Sequence, residues 1–397
     1  MGRVGYKAYV PNANPAVPEP AFREKDLQRW RLVERFQSAL AAEMSQRGGP
    51  TGTWADPRRQ LQLGEYFSLF LFGLFNPVVK TMRGVCAASQ FERVQREVCG
   101  RPVSLGSFSE AQAVVDPALL QAVFARLAGE GPTPPARPGL RGREVVIDST
   151  LWQVLPRMSW AFWRCQGGLD NAVRLHVEFD LAHGRPRQVQ LTPAKVCERA
   201  AWRQLAQPGS CYIGDRYYGY DYALLGELQA HQVDFVVRLR ENVQWVEENS
   251  ELLTPADRAA GVTWAGTVRL AKDGNGPRVR IIQLLGEDQS IVLATTLSAE
   301  AAPPELIGQL YKHRWQVEMF FRWLKCILGC RHWLAESARG VALQVYLALI
   351  AAQLLILYRG ERPNRRQMEA IQFYLMGWVT LDELMAKLRP APVKKKC

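Results

Sequence analysis

The chain has 397 residues, which is more than a typical single domain, so we expect two or three structural units with ample length for a hydrophobic core. Fifty Lys and Arg residues against 38 Asp and Glu residues give a formal net charge of +12, and the isoelectric point is near 9.4. This composition excludes a small disulfide-stapled scaffold. The positive charge favours a polyanionic partner, either nucleic acid or an acidic surface.

The eight cysteines lie in apolar or helical surroundings, and the opening MGRVGYKAYV lacks the apolar core of a signal peptide, so we expect reduced thiols in a cytoplasmic protein. Cys326, Cys330 and His332 suggest a zinc site, but the two cysteines have CxxxC spacing and no second pair completes four ligands. The apolar stretches 66–79 and 341–357 are interrupted or are shorter than the roughly 20 residues that cross a bilayer. No membrane association is predicted.

The first 128 residues predict a helical region that follows an irregular arm. Residues 1–22 contain four prolines, whereas residues 22–44 repeat apolar side chains at three- and four-residue steps. A second apolar block follows at 63–82, and Ser107 to Glu110 has the form of a capping box that opens another helix. We interpret this region as a domain that recognises DNA ends. The alternative is a helical bundle whose polar face is merely solvated.

After a linker rich in Gly and Pro, the pattern changes to short strands. Residues 141–240 predict strands followed by strand-helix alternation, which indicates a mixed sheet covered by helices. Further strands surround a turn at Gly274, and a long helix is predicted from Pro304 to Leu328. The predicted units are an irregular arm 1–22, a helical DNA-binding domain 23–128, a linker 129–140, an α/β core 141–240 and 301–335, a β-rich insertion 241–300, and C-terminal helices with a basic tail 336–397.

The helix predicted from Tyr311 to Lys325 carries an unusual polar edge. At about 100° per residue, its apolar side chains face one side, where they can pack on a core. The other edge carries one carboxylate among basic and phenolic side chains: Tyr311, Arg314, Glu318, Arg322 and Lys325. Taken alone, this edge also fits a solvated ion-pair face, in which each pair contributes a few tenths of a kcal/mol.

Two more carboxylates follow apolar strands. Asp148 closes the run VVI, and Asp215 closes the run CYIG. A strand end is held by a rigid scaffold, which is the placement that a metal site requires. Together with Glu318, these residues supply the oxygen ligands that Mg²⁺ and Mn²⁺ prefer, and two such ions about 3.5–4 Å apart promote phosphoryl transfer. Three rival carboxylates rank lower because they do not close an apolar strand in the same manner: Asp170, Asp180 and Asp221.

At these residues the sequence resembles the DDE transposases of bacterial insertion sequences, and among them the insertion sequence 4 family. That family's signature is Tyr, two residues, Arg, three residues, Glu, six residues and Lys, and Tyr311, Arg314, Glu318 and Lys325 match every spacing. The resemblance covers about residues 140–330. The N-terminal region is similar to such proteins only in general organisation.

The resemblance implies a ribonuclease-H-like α/β fold with a β-rich insertion. Asp148 on the first strand, Asp215 after the fourth and Glu318 on a later helix would be the catalytic residues and would bind two divalent cations, Mg²⁺ or Mn²⁺. Family members cut and paste DNA: the element's end is nicked, the freed 3′-OH forms a hairpin, the hairpin is reopened, and the 3′-OH joins target DNA. All four steps are phosphoryl transfers, so one metal site can serve them all.

The resemblance also assigns roles around the carboxylates. Phosphates near the hairpin would be bound by Tyr311, Arg314 and Lys325, in agreement with the donors that these side chains offer. Arg322 shares their edge but lies outside the signature, so a phosphate role competes with simple solvation. Relatives hold a flipped base on a tryptophan, for which Trp245 and Trp264 are candidates, with a core role as the alternative.

The implied partners are double-stranded DNA, as terminal inverted repeats and as target, and a second copy of the chain in the synaptic complex. The implied location is the bacterial cytoplasm, in association with the nucleoid. Two alternatives stay open from the sequence. One is a ribonuclease-H-like nuclease or resolvase without strand transfer, and the other is an inactive, domesticated DNA-binding protein that keeps the fold.

Overall fold

The computed structural model describes residues 32–49, 56, 58–131, 142–155, 157–165, 168–286, 289–327 and 333–389. Several predictions from the sequence fall outside these residues: the irregular arm 1–22, most of the linker 129–140, the basic tail, and the zinc candidates Cys330 and His332 together with the side chain of Cys326.

The described residues contain ten strands and fourteen α-helices. The strands are β1 Arg143–Gln153, β2 Phe162–Cys165, β3 Gly168–Asp180, β4 Arg185–Pro193, β5 Ser210–Gly214, β6 Asp234–Arg238, β7 Trp245–Ser250, β8 Val262–Leu270, β9 Arg278–Leu284 and β10 Ile291–Thr295. The helices are α1 Leu32–Gln46, α2 Leu63–Phe75, α3 Met82–Ala88, α4 Glu92–Val94, α5 Leu105–Val114, α6 Pro117–Ala128, α7 Glu198–Leu205, α8 Tyr222–Ala230, α9 Pro255–Ala259, α10 Pro304–His313, α11 Trp315–Ile327, α12 Ala338–Arg359, α13 Arg365–Leu375 and α14 Leu381–Leu388.

One mixed sheet organises the molecule. β1 pairs in parallel with β5 and antiparallel with β3, β5 pairs in parallel with β6, and β4 pairs antiparallel with β3. The resulting core order β4-β3-β1-β5-β6 is that of a ribonuclease-H-like fold, with α7 and α8 between its parallel strands. The predicted α/β fold is therefore confirmed.

The strands of residues 245–295 continue the same sheet. β10 pairs antiparallel with β6, and β9, β8 and β7 follow outward in that order. Three of these strands agree with the sequence pattern. β7 was not predicted, because the run Trp245–Ser250 is mostly polar and exposed and has no apolar alternation.

Alternate side chains of the sheet enter two separate cores, as expected for a strand that is covered on both faces. Val145 and Ile147 of β1 pack in a cluster with residues of α7 and α8. Val146 packs instead in a larger cluster that contains residues of α10, α11 and α12. Asp148, which follows Ile147, therefore points towards the α11 side of the sheet.

The long helix α12 is the centre of that larger cluster. It packs against α1, α2, α5 and α6, so the N-terminal helices share one core with a C-terminal helix and with the sheet. It is the one described helix that is long and apolar enough to cross a membrane, and 89% of its most apolar 18-residue window is buried inside the protein. The helix is apolar because it is buried on every side.

Two local predictions were wrong. Helix α5 begins after Ser104, whose side chain accepts a hydrogen bond from the Ser107 N–H, so Ser107 lies inside the helix and does not cap it. The helix predicted from Pro304 to Leu328 is interrupted at Arg314. There the Arg314 N–H donates to the Tyr311 carbonyl at 3.0 Å, three residues back, and this tighter turn separates α10 from α11.

Leu347→Ala tests the central position of α12, because Leu347 is fully buried. We expect the substitution to lower the free energy of unfolding by about 2–5 kcal/mol, through lost burial and the cavity that remains. Leu252→Ala is the matched control, since Leu252 is 100% exposed, and it should change stability by less than about 0.5 kcal/mol. Urea denaturation followed by circular dichroism measures both, and equal effects would contradict the assigned position of α12.

Candidate active site

Asp148 is a largely buried carboxylate in the middle of β1. The prediction that it closes a strand was wrong, because antiparallel pairing with β3 continues β1 to Gln153. Its Oδ1 accepts a hydrogen bond from the Ser149 N–H at 2.7 Å. Burial raises the pKa of this carboxyl to about 7, against the lowering effects of the Ser149 N–H and the Arg314 guanidinium. The negative charges of Asp215 and Glu198 add to the increase. The protein thus keeps a carboxylate at a position where ionisation is costly.

Asp215 lies beside Asp148 because of the register between their strands. β1 pairs in parallel with β5, and the last matched pair is Val146 with Ile213. Two residues beyond this pair the chain reaches Asp148 on β1 and Asp215 just after the end of β5. The Asp215 carboxylate accepts a hydrogen bond from the Tyr217 N–H at 2.8 Å, which orients it at the edge of the sheet.

Arg314 connects the third carboxylate to the first. Its Nη1 lies 3.2 Å from Asp148 Oδ2, and its Nη2 lies 2.5 Å from Glu318 Oε1. Glu318 is in the first turn of α11, one helical turn after Arg314. The sequence predicted a phosphate contact for Arg314 and no ion pair with Glu318. In the structure, the guanidinium bridges two of the three carboxylates.

The other basic and phenolic residues follow the same helix pair. Tyr311 is half-buried, and its ring centroid lies 5.9 Å from the Arg314 guanidinium carbon. Lys325 Nζ donates to the Leu151 carbonyl at 2.6 Å and lies 5.7 Å from the centre of the Trp152 ring. Leu151 is three residues beyond Asp148, about 10 Å along the strand. Helix α11 therefore runs alongside β1. Arg314, just before α11, contacts Asp148, and Lys325, near the end of α11, contacts Leu151.

Arg322 differs from these residues in its surroundings. Its side chain is exposed, and it forms no ion pair within the described part of the chain. It is open to an external anion, but it does not contact the carboxylates. Its phosphate role stays a prediction.

The two tryptophan candidates are not brought to the carboxylates. Trp245 and Trp264 stack on each other, with ring centroids 6.1 Å apart and planes 25° apart. Both pack against the cluster that includes Ile147, on the opposite face of the sheet from Asp148. This arrangement agrees with the core role that the sequence left open.

The described rival carboxylates have structural roles. Asp180 pairs with His183 at 2.9 Å. Asp221 caps α8 by accepting from the Leu224 N–H at 3.0 Å, and it also pairs with Arg203. The side chain of Asp170 lies outside the described residues. These contacts agree with the lower rank of Asp180 and Asp221.

The sequence did not predict a polar network behind Asp148. Arg174 of β3 donates to Ser149 Oγ at 2.9 Å and pairs with Glu198 in the first turn of α7. The buried Tyr218 hydroxyl lies 3.4 Å from Glu198 Oε2. The network supports the strand that carries Asp148, and its Glu198 charge contributes to the high pKa of Asp148. No spacing in the sequence connects these residues.

The chemistry of the carboxylates suits a hard divalent cation, because all three offer oxygen ligands and Asp148 is destabilised as a bare anion. Within the described ranges, no group of three or more His, Cys, Asp or Glu side chains is arranged to hold a metal ion. Arg314 lies between Asp148 and Glu318, so joint coordination by those two residues requires its guanidinium to move.

Comparisons with known proteins agree with this geometry. Residues 140–354 match the family described as "Transposase DDE domain". The chain is 30% identical over 307 residues to "Putative transposase y4zB" of Sinorhizobium fredii (strain NBRC 101917 / NGR234), an alignment that covers 74% of this chain and 83% of that protein. It is 26% identical over 226 residues to "Probable transposase for insertion sequence element IS5377" of Geobacillus stearothermophilus, covering 53% of this chain and 55% of that protein.

One solved structure is similar over most of the chain at low sequence identity. It is described as "Cryo-EM structure of piggyBac transposase synaptic complex with hairpin DNA (SNHP)". The alignment covers 94% of this chain and 86% of that chain, with a TM-score of 0.44 and 13% identity.

Asp148→Asn tests the cost of ionising Asp148. Because burial raises the pKa of Asp148 to about 7, its ionised form destabilises the folded state at pH 8, by up to a few kcal/mol. This penalty is absent well below the ordinary pKa and is reached as the pH rises past about 7. We expect the variant to be more stable than the wild type in EDTA at pH 8, with a gain that shrinks towards pH 4.

The control is Asp382→Asn, since Asp382 is an exposed carboxylate on α14. It should shift the unfolding free energy by less than about 0.5 kcal/mol at either pH. Urea denaturation at both pH values gives the comparison. A destabilised Asp148→Asn at pH 8 would refute the assigned desolvation.

Proposed function

The chain belongs to the Transposase DDE domain family, and on that premise we propose that it is the transposase of an insertion sequence that performs metal-dependent cut-and-paste transposition. The observation that carries the proposal is the approach of Glu318 on α11 to Asp148 on β1 through the guanidinium of Arg314. Asp148 and Asp215 come from paired strands, and Glu318 is joined to Asp148 by Arg314. A merely solvated helix face would not connect to the sheet in this way.

The finer assignment to the insertion sequence 4 family rests on the spacing of Tyr311, Arg314, Glu318 and Lys325. Their arrangement supports it, because all four lie along α10 and α11 beside β1. The break at Arg314 does not separate them. It turns the guanidinium towards Asp148 while Glu318 stays within reach.

Asp148, Asp215 and Glu318 would hold one or two divalent cations, Mg²⁺ or Mn²⁺. When bound, such ions activate the attacking oxygen and stabilise the leaving oxygen of a phosphoryl transfer. The protein's own part is to fix the three carboxylates on rigid elements and to keep Asp148 largely shielded from water. Because nicking, hairpin formation, hairpin opening and strand transfer are all phosphoryl transfers, this one set of residues would serve each step.

Arg314 would act as an exchangeable cation. While it bridges Asp148 and Glu318 it offsets their mutual repulsion, and when cations enter it would turn to a DNA phosphate with its charged N–H groups. Lys325 would contact the same DNA strand about 10 Å away from the phosphate bound by Arg314, a distance of roughly three nucleotides along the duplex axis. Tyr311 would donate its hydroxyl to a phosphate near Arg314.

The N-terminal helices would bind the terminal inverted repeats. Exposed basic side chains of this region support the idea: Lys80, Arg83 and Arg96. Two ends must meet for cut-and-paste transposition, so the active species would be a homodimer on DNA. The protein would act in the cytoplasm, on the nucleoid.

Three substitutions test the catalytic set: Asp148→Ala, Asp215→Ala and Glu318→Ala. Each should lower Mg²⁺- or Mn²⁺-dependent cleavage by at least about a thousandfold, because each removes a metal ligand from a site that works as a unit. The assay uses DNA that carries the inverted repeats bordering the gene, with Asp382→Ala as the control. Cleavage retained by all three variants would show that the site is wrongly assigned, and a strand-transfer step in the same assay separates a transposase from a nuclease.

Arg314→Ala and Arg322→Ala separate two kinds of basic residue. Removing Arg314 takes away a cation that competes for Asp148 and Glu318, so Mn²⁺ should bind the free protein more tightly while DNA cleavage becomes slower. Removing the exposed Arg322 should leave Mn²⁺ affinity unchanged and reduce the salt dependence of DNA binding by about one phosphate contact. Isothermal titration calorimetry and binding across salt concentrations measure these effects. Identical Mn²⁺ affinities in both variants would contradict the bridging role of Arg314.

A further inference from the structure

A groove lies on the face of the sheet opposite Asp148, since its lining residues Tyr222 and Val243 pack against the cluster that includes Ile147. It consists of two adjoining cavities of about 510 and 550 Å³ that share Tyr220 and Tyr222. We call it the tyrosine groove. Its basic residues are Arg240 and Lys272 in the first cavity, and Arg199 and Arg203 in the second.

The fold puts this groove at the same edge of the sheet as Asp215. β5 and β6 are parallel, so the segments that follow them emerge at one edge, and these segments carry Asp215, Tyr220 and Arg240. The turn before Tyr220 lies directly on the end of β6. A Cβ at Gly219 would lie 2.2 Å from the Arg238 carbonyl oxygen, so only glycine allows this approach.

Arginine side chains in and beside the groove stack on tyrosine rings. The Arg240 guanidinium carbon lies 3.6 Å from the centre of the Tyr220 ring, and that of Arg199 lies 4.7 Å from the centre of the Tyr217 ring. A stacked guanidinium keeps its N–H groups in the plane, where they can reach phosphate oxygens. The stack therefore prepares Arg240 for an anionic partner.

The positive charge is concentrated in the first cavity. Arg203 pairs with Asp221 and Glu227, and Arg199 lies 3.9 Å from Asp221. Arg240 and Lys272 are exposed, and neither forms an ion pair with another described residue. An open surface with unpaired cations and aromatic rings fits a nucleic-acid backbone better than a compact small molecule.

Asp215 directly follows the end of β5, and the chain leads on from it through residues 216–219 to Tyr220 in the groove. Strand transfer requires two DNA molecules to meet at one set of carboxylates. The α11 side would hold the element's end, which leaves the groove side for the second molecule.

We propose that the tyrosine groove binds the target duplex during strand transfer, a role that rests on the proposed transposase function and specifies its second DNA substrate. Arg240 and Lys272 contact target phosphates, and Tyr220 holds Arg240 in position. The interaction is independent of sequence, because it is made with the backbone.

The test compares Arg240→Ala/Lys272→Ala with Arg366→Ala/Lys387→Ala in the full-length protein. Arg366 and Lys387 are exposed residues of α13 and α14, so the control removes the same charge elsewhere. With pre-cleaved element ends and a target plasmid, the groove variant should lower strand transfer at least about tenfold, while end cleavage stays within about twofold of wild type. The control variant should leave both reactions unchanged.

Binding to a duplex without terminal repeats provides a second readout. The groove variant should bind it more weakly and lose up to about two units of slope in the plot of log affinity against log salt. Equal loss of cleavage and strand transfer, or no change in strand transfer and duplex binding, would overturn the groove proposal. A wild type that neither cleaves nor joins DNA would count against the transposase function instead, and duplex binding would still decide whether the groove contacts DNA. Thermal denaturation checks that the variants are folded.

Discussion

The parallel pairing of β1 with β5 is the constraint on which the rest of the site depends. Its register brings Asp148, in the middle of β1, near Asp215, just after β5, and their negative charges repel each other. The pairing is stable because Val145, Val146 and Ile213 are buried in the cores on the two faces. Burial of apolar neighbours thus holds together two groups that would separate if they were free in water.

The polar surroundings of Asp148 divide into two sets with different freedom to move. Behind the strand, Ser149, Arg174 and Glu198 form contacts that connect β1, β3 and α7. In front, Arg314 makes ion pairs at the tightened turn between two helices. The first set is suited to fix the strand, whereas the second involves a long side chain whose partners can be replaced. One set of residues therefore holds β1 in place, and a different residue, Arg314, offers ion pairs that other partners can replace.

Much of the fold was predictable because the relevant signals are local. The run VVID predicts a strand with a carboxylate on it, and the apolar periodicity of residues 315–327 predicts a helix, although the longer helix predicted from Pro304 is broken at Arg314. The contact between Arg174 and Glu198 was not predictable, because it depends on how β3 meets α7. Residue type alone could not tell that Trp245 and Trp264 stack on each other, since the packing of the sheet decides it.

The buried helix α12 has a consequence for how the chain folds while it is being made. The N-terminal helices α1, α2, α5 and α6 pack on a segment that the ribosome adds roughly 200 to 300 residues later, which corresponds to about 10–60 s of synthesis. Until then the apolar faces that pack on α12 lack this partner. We expect the nascent N-terminal half to need protection by chaperones, and truncated products that end before α12 to be degraded or to aggregate.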